Sequence, residues 1–598
     1  MLQIWFTAVF AATGYAASKS FLPPGLSAED VSKRSYSPDF GALEDVLVAL
    51  GVMQDEYFQP WIGEWPSAID WTAAVMGSHV SGALATLSKS LGLYQLDDDE
   101  GYKLRENTID LYFSQVVGSY YGQNALSIRH QAFDDMLWVV LGWLDTTQFI
   151  DLHTASYHQR GSQSTGMGEG IPEILRNQTW HGNTWVPAFA HRARVFWELA
   201  SKGWDYVLCG GGMTWNPRLE PYKNAITNEL YIAASISMYL YFPGDTNSHP
   251  YSSESDSDLH DSDPSAAKGW EPHDERYLFA AMNGYIWLMD SGMMNSKGLF
   301  VDGFHISGYR NKSDPNTKCD VRNEMVYTYN QGVILSGQIG LFKSIGDMRY
   351  LADGHALIRN VIAATGYGLT IDRPIDDISK LRPGQLPPWH GLGRAGVLED
   401  LCDPRGDCSQ NGHTFKGIFF HHLTTFCASL EPPTGLSRSS MSEQEFAEIK
   451  GPHDTACAAY RGWVQHNAKA ALLTRDAKGR FGTWWTAGLL NLTSAHSAID
   501  DDGEESQDDG AVDYRNHGVP DDPLWVAEGD SDSASAVIPG SPLDDSGSGQ
   551  RPLGGSIKRS HLGGDPNDRG RGRTVETQGG GIAVLRALWE ISKLSPDS

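Results

Sequence analysis

Residues 130–144 read His-Gln-Ala-Phe-Asp-Asp-Met-Leu-Trp-Val-Val-Leu-Gly-Trp-Leu, and this stretch decides the fold class. Asp134 and Asp135 stand at the head of a run that is apolar at nearly every position. A helix that is hydrophobic on all sides is normally buried. Because a buried carboxylate without partners is costly, such groups are usually kept for a function or held in a strong network. The stretch therefore predicts a buried helix that carries a candidate site.

Helical patterns of similar length recur along the chain on both sides of this stretch, and strand patterns are scarce. They are predicted near residues 65–91, 104–121, 187–202, 222–241, 275–291, 329–345, 350–364, 415–429, 459–473 and 581–594. About eleven helices without a fixed-period repeat favour paired helices that close into a toroid or a large bundle. The last helix is expected to close the same domain, because alone it could not bury its apolar face.

Two acidic stretches interrupt the helical pattern. Residues 246–272 are rich in Ser, Asp and His, and residues 498–570 are dense in Asp, Ser, Gly and Pro. Segments of this composition cannot bury enough apolar surface to fold by themselves, so both are predicted to be disordered insertions. The predicted organisation is a signal peptide at 1–17 and a single catalytic domain at 18–598. Its core would span about 60–497, with a closing helix at 576–595.

Charge and cysteine content indicate the compartment. The chain has 74 acidic and 46 basic residues and a net charge of −28, which disfavours nucleic acid and anionic membranes as partners. Six cysteines fit an oxidising compartment and allow 15 full pairings. The most plausible local bridge joins Cys402 and Cys408, which flank a Pro-Gly turn. The others are Cys209, Cys319, Cys427 and Cys457.

The first residues resemble a secretory signal, although a basic n-region is missing; a first buried helix is the alternative. Three acceptor motifs for N-glycosylation, at Asn177, Asn311 and Asn491, agree with secretion. No later run is long and apolar enough to span a bilayer, and the polar end of the chain predicts no lipid anchor. We therefore expect a secreted protein.

The spacing of Asp134 and Asp135 fits acid–base chemistry on a glycosidic bond. Neighbouring positions on a helix place carboxyl groups close to the roughly 5 Å separation that retaining glycoside hydrolysis requires. Like charges at that distance split their titrations, so that one group is ionised and the other protonated. Trp138, one turn further on, could shield both. The alternative is a cation site or a helix cap, for which adjacent acids are common.

Other stretches combine polar groups with helical patterns. Asn224 and Asn228 share one helix face, and Tyr329, Asn330 and Gln331 cluster at a predicted helix start. These groups could bind sugar hydroxyls, but capping of neighbouring backbone is the more ordinary role for each. Adjacent histidines such as His421 and His422 do not share a helix face, so a structural role is expected there and no metal or cofactor is predicted.

Five motifs in order resemble glycoside hydrolase family 76, the endo-α-1,6-mannanases. Phe133-Asp-Asp-Met-Leu-Trp138 is similar to the double-aspartate helix of that family. The other four are Cys209-Gly-Gly-Gly-Met-Thr-Trp-Asn-Pro217 with Tyr222-Lys-Asn-Ala-Ile-Thr-Asn-Glu-Leu230, Gly298-Leu-Phe-Val-Asp-Gly303 with Thr328-Tyr-Asn-Gln-Gly332, Phe415-Lys-Gly-Ile-Phe-Phe420, and Glu576-Thr-Gln-Gly-Gly-Gly581. The match runs from about residue 65 to 594, interrupted by the acidic insertions.

The resemblance implies an all-α (α/α)6 barrel with the aspartates in a cleft at one end. Asp134 would be the nucleophile and Asp135 the acid/base, with no cofactor. Implied substrate-binding residues are Trp138, Trp215, Asn224, Asn228, Asp302, Tyr329, Asn330 and Gln331. The long acidic insertions depart from the family pattern, and so does the missing lipid-anchor signal, which favours a soluble secreted or wall-associated protein.

The expected activity is internal cleavage of α-1,6-mannan, or of a mannoprotein glycan, by double displacement. Two alternatives stay open. A transglycosidase would transfer the mannoside to another polysaccharide instead of water. A wall-binding, lectin-like protein would keep the barrel without chemistry.

Overall fold

A computed structural model describes residues 21–34, 40–93, 99–158, 179–247, 270–382, 385–433, 441–492, 510–518 and 564–594. Twelve of its helices form two layers and are numbered here in chain order. They are α1 (Phe40–Tyr57), α2 (Asp70–Leu91), α3 (Asp99–Gly122), α4 (Phe133–Tyr157), α5 (Val186–Ser201), α6 (Ala225–Tyr241), α7 (Glu275–Asp290), α8 (Val333–Ile345), α9 (Met348–Ala364), α10 (Gln410–Phe426), α11 (Arg461–Leu472) and α12 (Val575–Ser592).

The even-numbered helices form a closed inner ring. Each packs against the next in chain order, and α12 packs back against α2. The odd-numbered helices cover the outside: α1 and α11 pack on α12, α3 on α2, α5 on α4, α7 on α6, and α9 on α8. Six inner and six outer helices in strict alternation are an (α/α)6 barrel, which confirms the predicted all-α fold class.

Inner helices follow one another through an outer helix, so they run in the same direction and begin at the same end of the barrel. The side chains there meet directly: Glu576 at the start of α12 accepts hydrogen bonds from Thr72 (2.7 Å) and Gln410 (2.8 Å). A close approach explains part of the glycine-rich motif in α12. A Cβ on Gly417 of α10 would lie 2.9 Å from Gly580 Cα, so small residues let the ring close.

Short strands lie next to this end. Strands β1 (Tyr222–Asn224), β2 (Gly303–His305) and β3 (Val321–Asn323) form an antiparallel sheet in the order β1-β2-β3. Two short hairpins pair Tyr367–Gly368 with Arg373–Pro374 and Gly393–Arg394 with Val397–Leu398. The sequence predicted a single helix from residue 222, whereas the structure places the first three residues in β1 and begins α6 at Ala225.

The barrel begins before the predicted start near residue 60. Helix α1, which has no clear helical pattern in the sequence, packs against α12 as an outer helix. A further helix without a sequence prediction, Glu443–Ala459, packs against α9, α11 and α12. The predicted closing helix is confirmed as α12, which completes the inner ring.

The prediction of a disordered insertion over 498–570 is wrong for residues 510–518 and 564–570. Both segments are folded against the barrel, with Asp513 and Asn567 buried. The predicted signal peptide, Asn177, residues 248–269 and the remainder of the second acidic stretch lie outside the described residues. The side chains of the other two glycosylation acceptors, Asn311 and Asn491, are exposed.

Three disulfides join the six cysteines. Cys402 is bonded to Cys408, which confirms the predicted local bridge. The other bridges are Cys209–Cys319 and Cys427–Cys457. Among the described residues, no helix combines the length and apolar character needed to cross a membrane.

Candidate active site

Asp134 and Asp135 lie in the first turn of α4, at the end of the barrel where the inner helices begin. The backbone N–H of Ala132 donates to Asp135 Oδ2 at 3.1 Å, and the N–H of Asp135 donates to Asp134 Oδ1 at 3.1 Å. Unpaired N–H groups and the helix dipole favour negative charge at this position. Asp134 is buried and Asp135 half-buried, so the second carboxyl is the more accessible one.

The two carboxyl groups are shifted by different amounts. Burial raises the pKa of Asp134, and the nearby Arg515 guanidinium partly reverses that rise. Burial also raises the pKa of Asp135, and the negative charge of Asp134 adds to it, so that this pKa lies well above its usual range. Asp135 therefore keeps its proton to higher pH than Asp134. The pair is polarised into a carboxylate and a carboxylic acid.

Arg515 is the cation that creates this asymmetry. Its Nη2 lies 3.5 Å from Asp134 Oδ2, and its guanidinium carbon lies 4.9 Å from the Trp215 ring centroid. Burial lowers the pKa of Arg515, but the neighbouring Tyr329, Asp134 and Asp302 raise it above its ordinary value. The side chain is thus a permanently charged group inside the site.

Residues 510–518, called here the Arg515 segment, are anchored by hydrogen bonds to the barrel. Asn323 accepts from the Val512 N–H at 2.9 Å and donates to the Val512 carbonyl at 3.0 Å. The Tyr327 hydroxyl donates to Asp513 at 2.7 Å, and Ser409 Oγ donates to the Arg515 carbonyl at 2.7 Å. Sequence reasoning missed this segment because its partners are remote in the chain. The only local signal was Val-Asp-Tyr-Arg-Asn at 512–516, with two apolar or aromatic residues amid acids and glycines.

Trp215 connects the glycine-rich loop to α4. Its carbonyl accepts from the N–H of Phe133, and its N–H donates to the Tyr222 carbonyl, both at 2.9 Å. A hydrogen bond from the Trp215 side chain lowers the pKa of Asp134, against the larger effect of burial. The structure therefore brings Trp215 to the aspartate pair.

Asp302 is another buried carboxyl at this end. Its Oδ2 accepts from the Tyr222 hydroxyl at 2.6 Å and from Asn323 Nδ2 at 3.2 Å. Its Oδ1 is buried and has no hydrogen-bond partner among the described residues. Burial raises the pKa of Asp302, and Arg515 opposes that rise. Asp302 thus shares the Arg515 cation with Asp134.

Asn224 and Asn228 bind backbone. Asn224 caps α6, with Oδ1 accepting from the Thr227 N–H at 3.3 Å. Asn228 Oδ1 accepts from the Met213 N–H at 2.7 Å, and its Nδ2 donates to the carbonyls of Asn224 (2.7 Å) and Met213 (3.2 Å). The predicted shared helix face does not form, because Asn224 ends β1 and caps α6, and Asn228 holds the glycine-rich loop that contains Trp215.

Tyr329, Asn330 and Gln331 form a 3-10 turn before α8. The Tyr329 ring stacks on Phe415 with centroids 3.9 Å apart. Burial raises the pKa of Tyr329 well above its usual value, and Arg515 partly opposes that rise. Gln331 is bonded to both backbone groups of Phe300, at 2.8 and 2.9 Å, and is structural. The Asn330 amide is fully buried and, within the described part of the chain, forms no hydrogen bond.

Trp138 lies deeper along α4 and is buried. It stacks on Trp71 of α2, with centroids 5.7 Å apart, and approaches the His422 ring at 6.4 Å. Trp71, which sequence reasoning missed, donates through Nε1 to Asn411 at 2.9 Å. His422 bonds to Ser336 at 2.6 Å and His421 lies 3.3 Å from Asp145, so both histidines serve the barrel interior.

Comparison with known proteins gives the following matches. Residues 271–444 match the model of glycosyl hydrolase family 76. No curated protein sequence matches the chain.

Solved structures with a similar fold include an inactive α-1,6-mannanase of Salegentibacter sp. HEL1_6, with two aspartates replaced by alanine and α-1,6-mannotetrose bound. It is 14% identical with a TM-score of 0.45, over 92% of this chain and 99% of that one. A family 76 mannosidase of Bacteroides thetaiotaomicron is 14% identical with a TM-score of 0.40, over 74% and 90%. Dfg5 from Chaetomium thermophilum with glucosamine is 13% identical with a TM-score of 0.44, over 76% and 85%.

Residues 271–444 are therefore similar to glycosyl hydrolase family 76, the family that the sequence motifs resemble.

Proposed function

We propose that this protein is an endo-acting glycoside hydrolase that cleaves α-1,6-mannosidic linkages of mannan with retention of configuration. The observation that carries the proposal is the pair of adjacent carboxyls in which the Arg515 guanidinium lies 3.5 Å from Asp134 Oδ2. Retaining hydrolysis needs one ionised nucleophile and one protonated acid close together. The family match supports glycosidic bond cleavage, and α-1,6-mannan follows from the motif resemblance.

The mechanism assigns the two roles by charge. Asp134, whose ionised form Arg515 favours, attacks the anomeric carbon while Asp135 gives its proton to the leaving oxygen. The carbon–oxygen bond breaks, and a glycosyl ester of Asp134 forms. Asp135, now a carboxylate, takes a proton from water, which displaces Asp134 from the anomeric carbon. Asp135 then carries the proton again, and configuration is retained.

Sugar-binding residues are proposed among the groups around this pair. Asn330 and Asp302 Oδ1 are polar groups without hydrogen bonds in the described residues, so they could turn to substrate hydroxyls. Trp215, Tyr329 and Trp138 offer aromatic surface near α4. Asn224, Asn228 and Gln331 act through the backbone that they hold. No cofactor takes part in this scheme.

We also propose a secreted, extracellular location at or near a cell wall. Three disulfides support it, because such bonds persist in oxidising compartments. The negative charge would repel anionic polymers and leaves a neutral mannan or mannoprotein glycan as the more compatible partner.

The test is incubation of the purified protein with unbranched α-1,6-mannan, followed by size analysis and by NMR of the first products. We expect rapid loss of polymer length and products that appear first as the α-anomer. Products that appear first as the β-anomer would contradict retention. Binding without shortening would favour the lectin-like alternative. Products longer than an added manno-oligosaccharide acceptor would favour a transglycosidase.

A further inference from the structure

A second cluster of titratable side chains lies at the opposite end of α4. Glu106 projects from α3, His153 lies near the C-terminal end of α4, and His158 follows that helix directly. Potential ligand atoms of these three residues all lie within 4.8 Å of one another. The backbone N–H of His158 still bonds to the Thr154 carbonyl, but its own dihedral angles, φ −129° and ψ 31°, are not helical. The bend folds this imidazole back toward His153.

The spacing within the cluster fits a shared metal ion. Glu106 Oε1 lies 3.2 Å from His153 Nε2, within hydrogen-bond distance, and 3.6 Å from His158 Nε2. A contact of 3.6 Å is too long for a hydrogen bond. Two ligands about 2.0–2.1 Å from a tetrahedral zinc ion are separated by about 3.3–3.4 Å, between the two observed distances.

The imidazole rings give a second geometric check. Two rings that bind one tetrahedral zinc ion through Nε2 would have centroids about 5.2 Å apart. The His153 and His158 centroids are 5.3 Å apart. The distance between the two rings and the distances from each ring to Glu106 therefore both fit the geometry of one tetrahedral zinc ion.

Unsatisfied polar atoms point to a missing partner. His158 Nε2 and Glu106 Oε2 are buried and form no hydrogen bond within the described residues. His153 Nδ1 lies 2.9 Å from Ser88 Oγ, a contact that fixes the ring with Nε2 toward Glu106. The Glu106 and His158 side chains are 20% and 21% exposed, so an ion could enter from solvent.

We propose that Glu106, His153 and His158 form a binding site for a divalent transition-metal ion, best fitted by Zn²⁺, with a fourth position for water. Two imidazoles and one carboxylate are a known zinc ligand set, whereas Ca²⁺ and Mg²⁺ prefer oxygen ligands only. Two other described groups of potential metal ligands contain cysteines that are disulfide-bonded.

The site would tie the outer layer to the inner ring. His153 is nineteen positions beyond Asp134 on the same helix, which corresponds to about 28 Å along the axis. The bound ion would therefore stabilise the contact between α3 and α4 without reaching the aspartate pair. The proposal is independent of the activity at Asp134.

The experiment is a zinc titration of the full-length protein after chelator treatment, in competition with a chromophoric zinc indicator. We expect one Zn²⁺ per chain and a rise in melting temperature on binding. Glu106→Gln and His158→Gln should each weaken binding at least tenfold and abolish the thermal shift. Ser88→Ala should weaken binding by about 10–100-fold through the orientation of His153.

The matched control is His181→Gln, which removes a more exposed imidazole that pairs with Asp110 at 2.9 Å. It should bind zinc as the unmodified protein does. Circular dichroism of each variant reports folding separately from binding. The proposal is overturned if the unmodified protein takes up no Zn²⁺ at micromolar concentration. It is equally overturned if the folded His158→Gln and His181→Gln variants bind zinc with the same affinity.

Discussion

The two ends of α4 hold similar groups in opposite electrostatic states. At the N-terminal end, burial raises the pKa of Asp134 and Asp135. At the C-terminal end, burial also raises the pKa of Glu106, but the neighbouring His153 and His158 imidazoles outweigh it and bring this pKa to about 2. Carboxyl groups beside one helix thus shift in opposite directions.

Burial favours the protonated form at both ends, and the difference teaches that the neighbours decide the net direction of the pKa shift. Burial favours the acid form of Asp135, and the second carboxylate beside it adds to that effect. Glu106 has two imidazoles, so its anionic form is favoured. A group that must release a proton to a substrate suits the first end. A group that must offer lone pairs to a cation suits the second.

The largest expected effect comes from removal of either carboxyl of the catalytic pair. Asp134→Asn and Asp135→Asn should each lower the turnover of α-1,6-mannan by about a thousandfold or more, because nucleophile and acid are each essential to double displacement. The measurement is the rate of reducing-end release, with the melting temperature as a check on folding.

Asp151→Asn is the matched control, since it makes the same change at an exposed position of the same helix. It should leave turnover within a factor of about two. Near-normal activity in both catalytic variants would show that the carboxylates at the N-terminal end are structural, as the cap of α4.

How far the sequence predicts this molecule depends on whether the signal is local. The apolar run after Asp135 predicted α4 correctly, because an inner helix buries every side and its sequence shows it. Helix α1 escaped prediction, since Gly41 and Gly51 interrupt a pattern that tertiary packing against α12 stabilises. The acidic composition around residues 510–518 outweighed the few residues that anchor them.

In the candidate site, too, the local signals were found from the sequence and the contacts between remote residues were missed. The aspartate pair is adjacent in sequence and was found there. Arg515 lies 381 positions from Asp134, and no spacing rule connects them. The partners of Asn228 are the backbone of a glycine-rich loop, which only the folded chain brings within reach. At the other end, His153 and His158 lack the spacing of four that marks a metal site on a regular helix.

Loss of the Arg515 cation should favour the protonated form of both aspartates at the N-terminal end of α4. In Arg515→Gln the pKa of Asp134 should rise further, because the opposite charge that now lowers it is lost. The proposed nucleophile acts only when ionised, so the acid limb of the pH profile of kcat/KM should move to higher pH.

Arg515→Lys keeps the positive charge, so the acid limb of its kcat/KM pH profile should lie closer to that of the unmodified protein. If the role of Arg515 is only structural, both variants should lower the melting temperature, and kcat should fall equally at every pH. Such a result would remove the electrostatic distinction between the two aspartates on which the assignment of their roles rests.

The smallest expected effect concerns the stability that the C-terminal end contributes. The pKa of Glu106, about 2 in the folded protein, lies below its ordinary value of 4.5. A lowered carboxyl pKa stabilises the folded state fully above about pH 4.5, and the contribution is lost as the pH falls through 2. With chelator present, Glu106→Gln should lower the unfolding free energy by about 1 kcal/mol at pH 6, allowing for partial exposure.

Urea unfolding should show less than half of that difference at pH 3. Glu44→Gln, which removes an exposed partner of Arg105 in α3, should give a smaller difference at pH 6. If the difference in unfolding free energy between Glu106→Gln and the unmodified protein stays constant with pH, the imidazoles do not stabilise the Glu106 carboxylate. The contrast between the two ends of α4 would then fail.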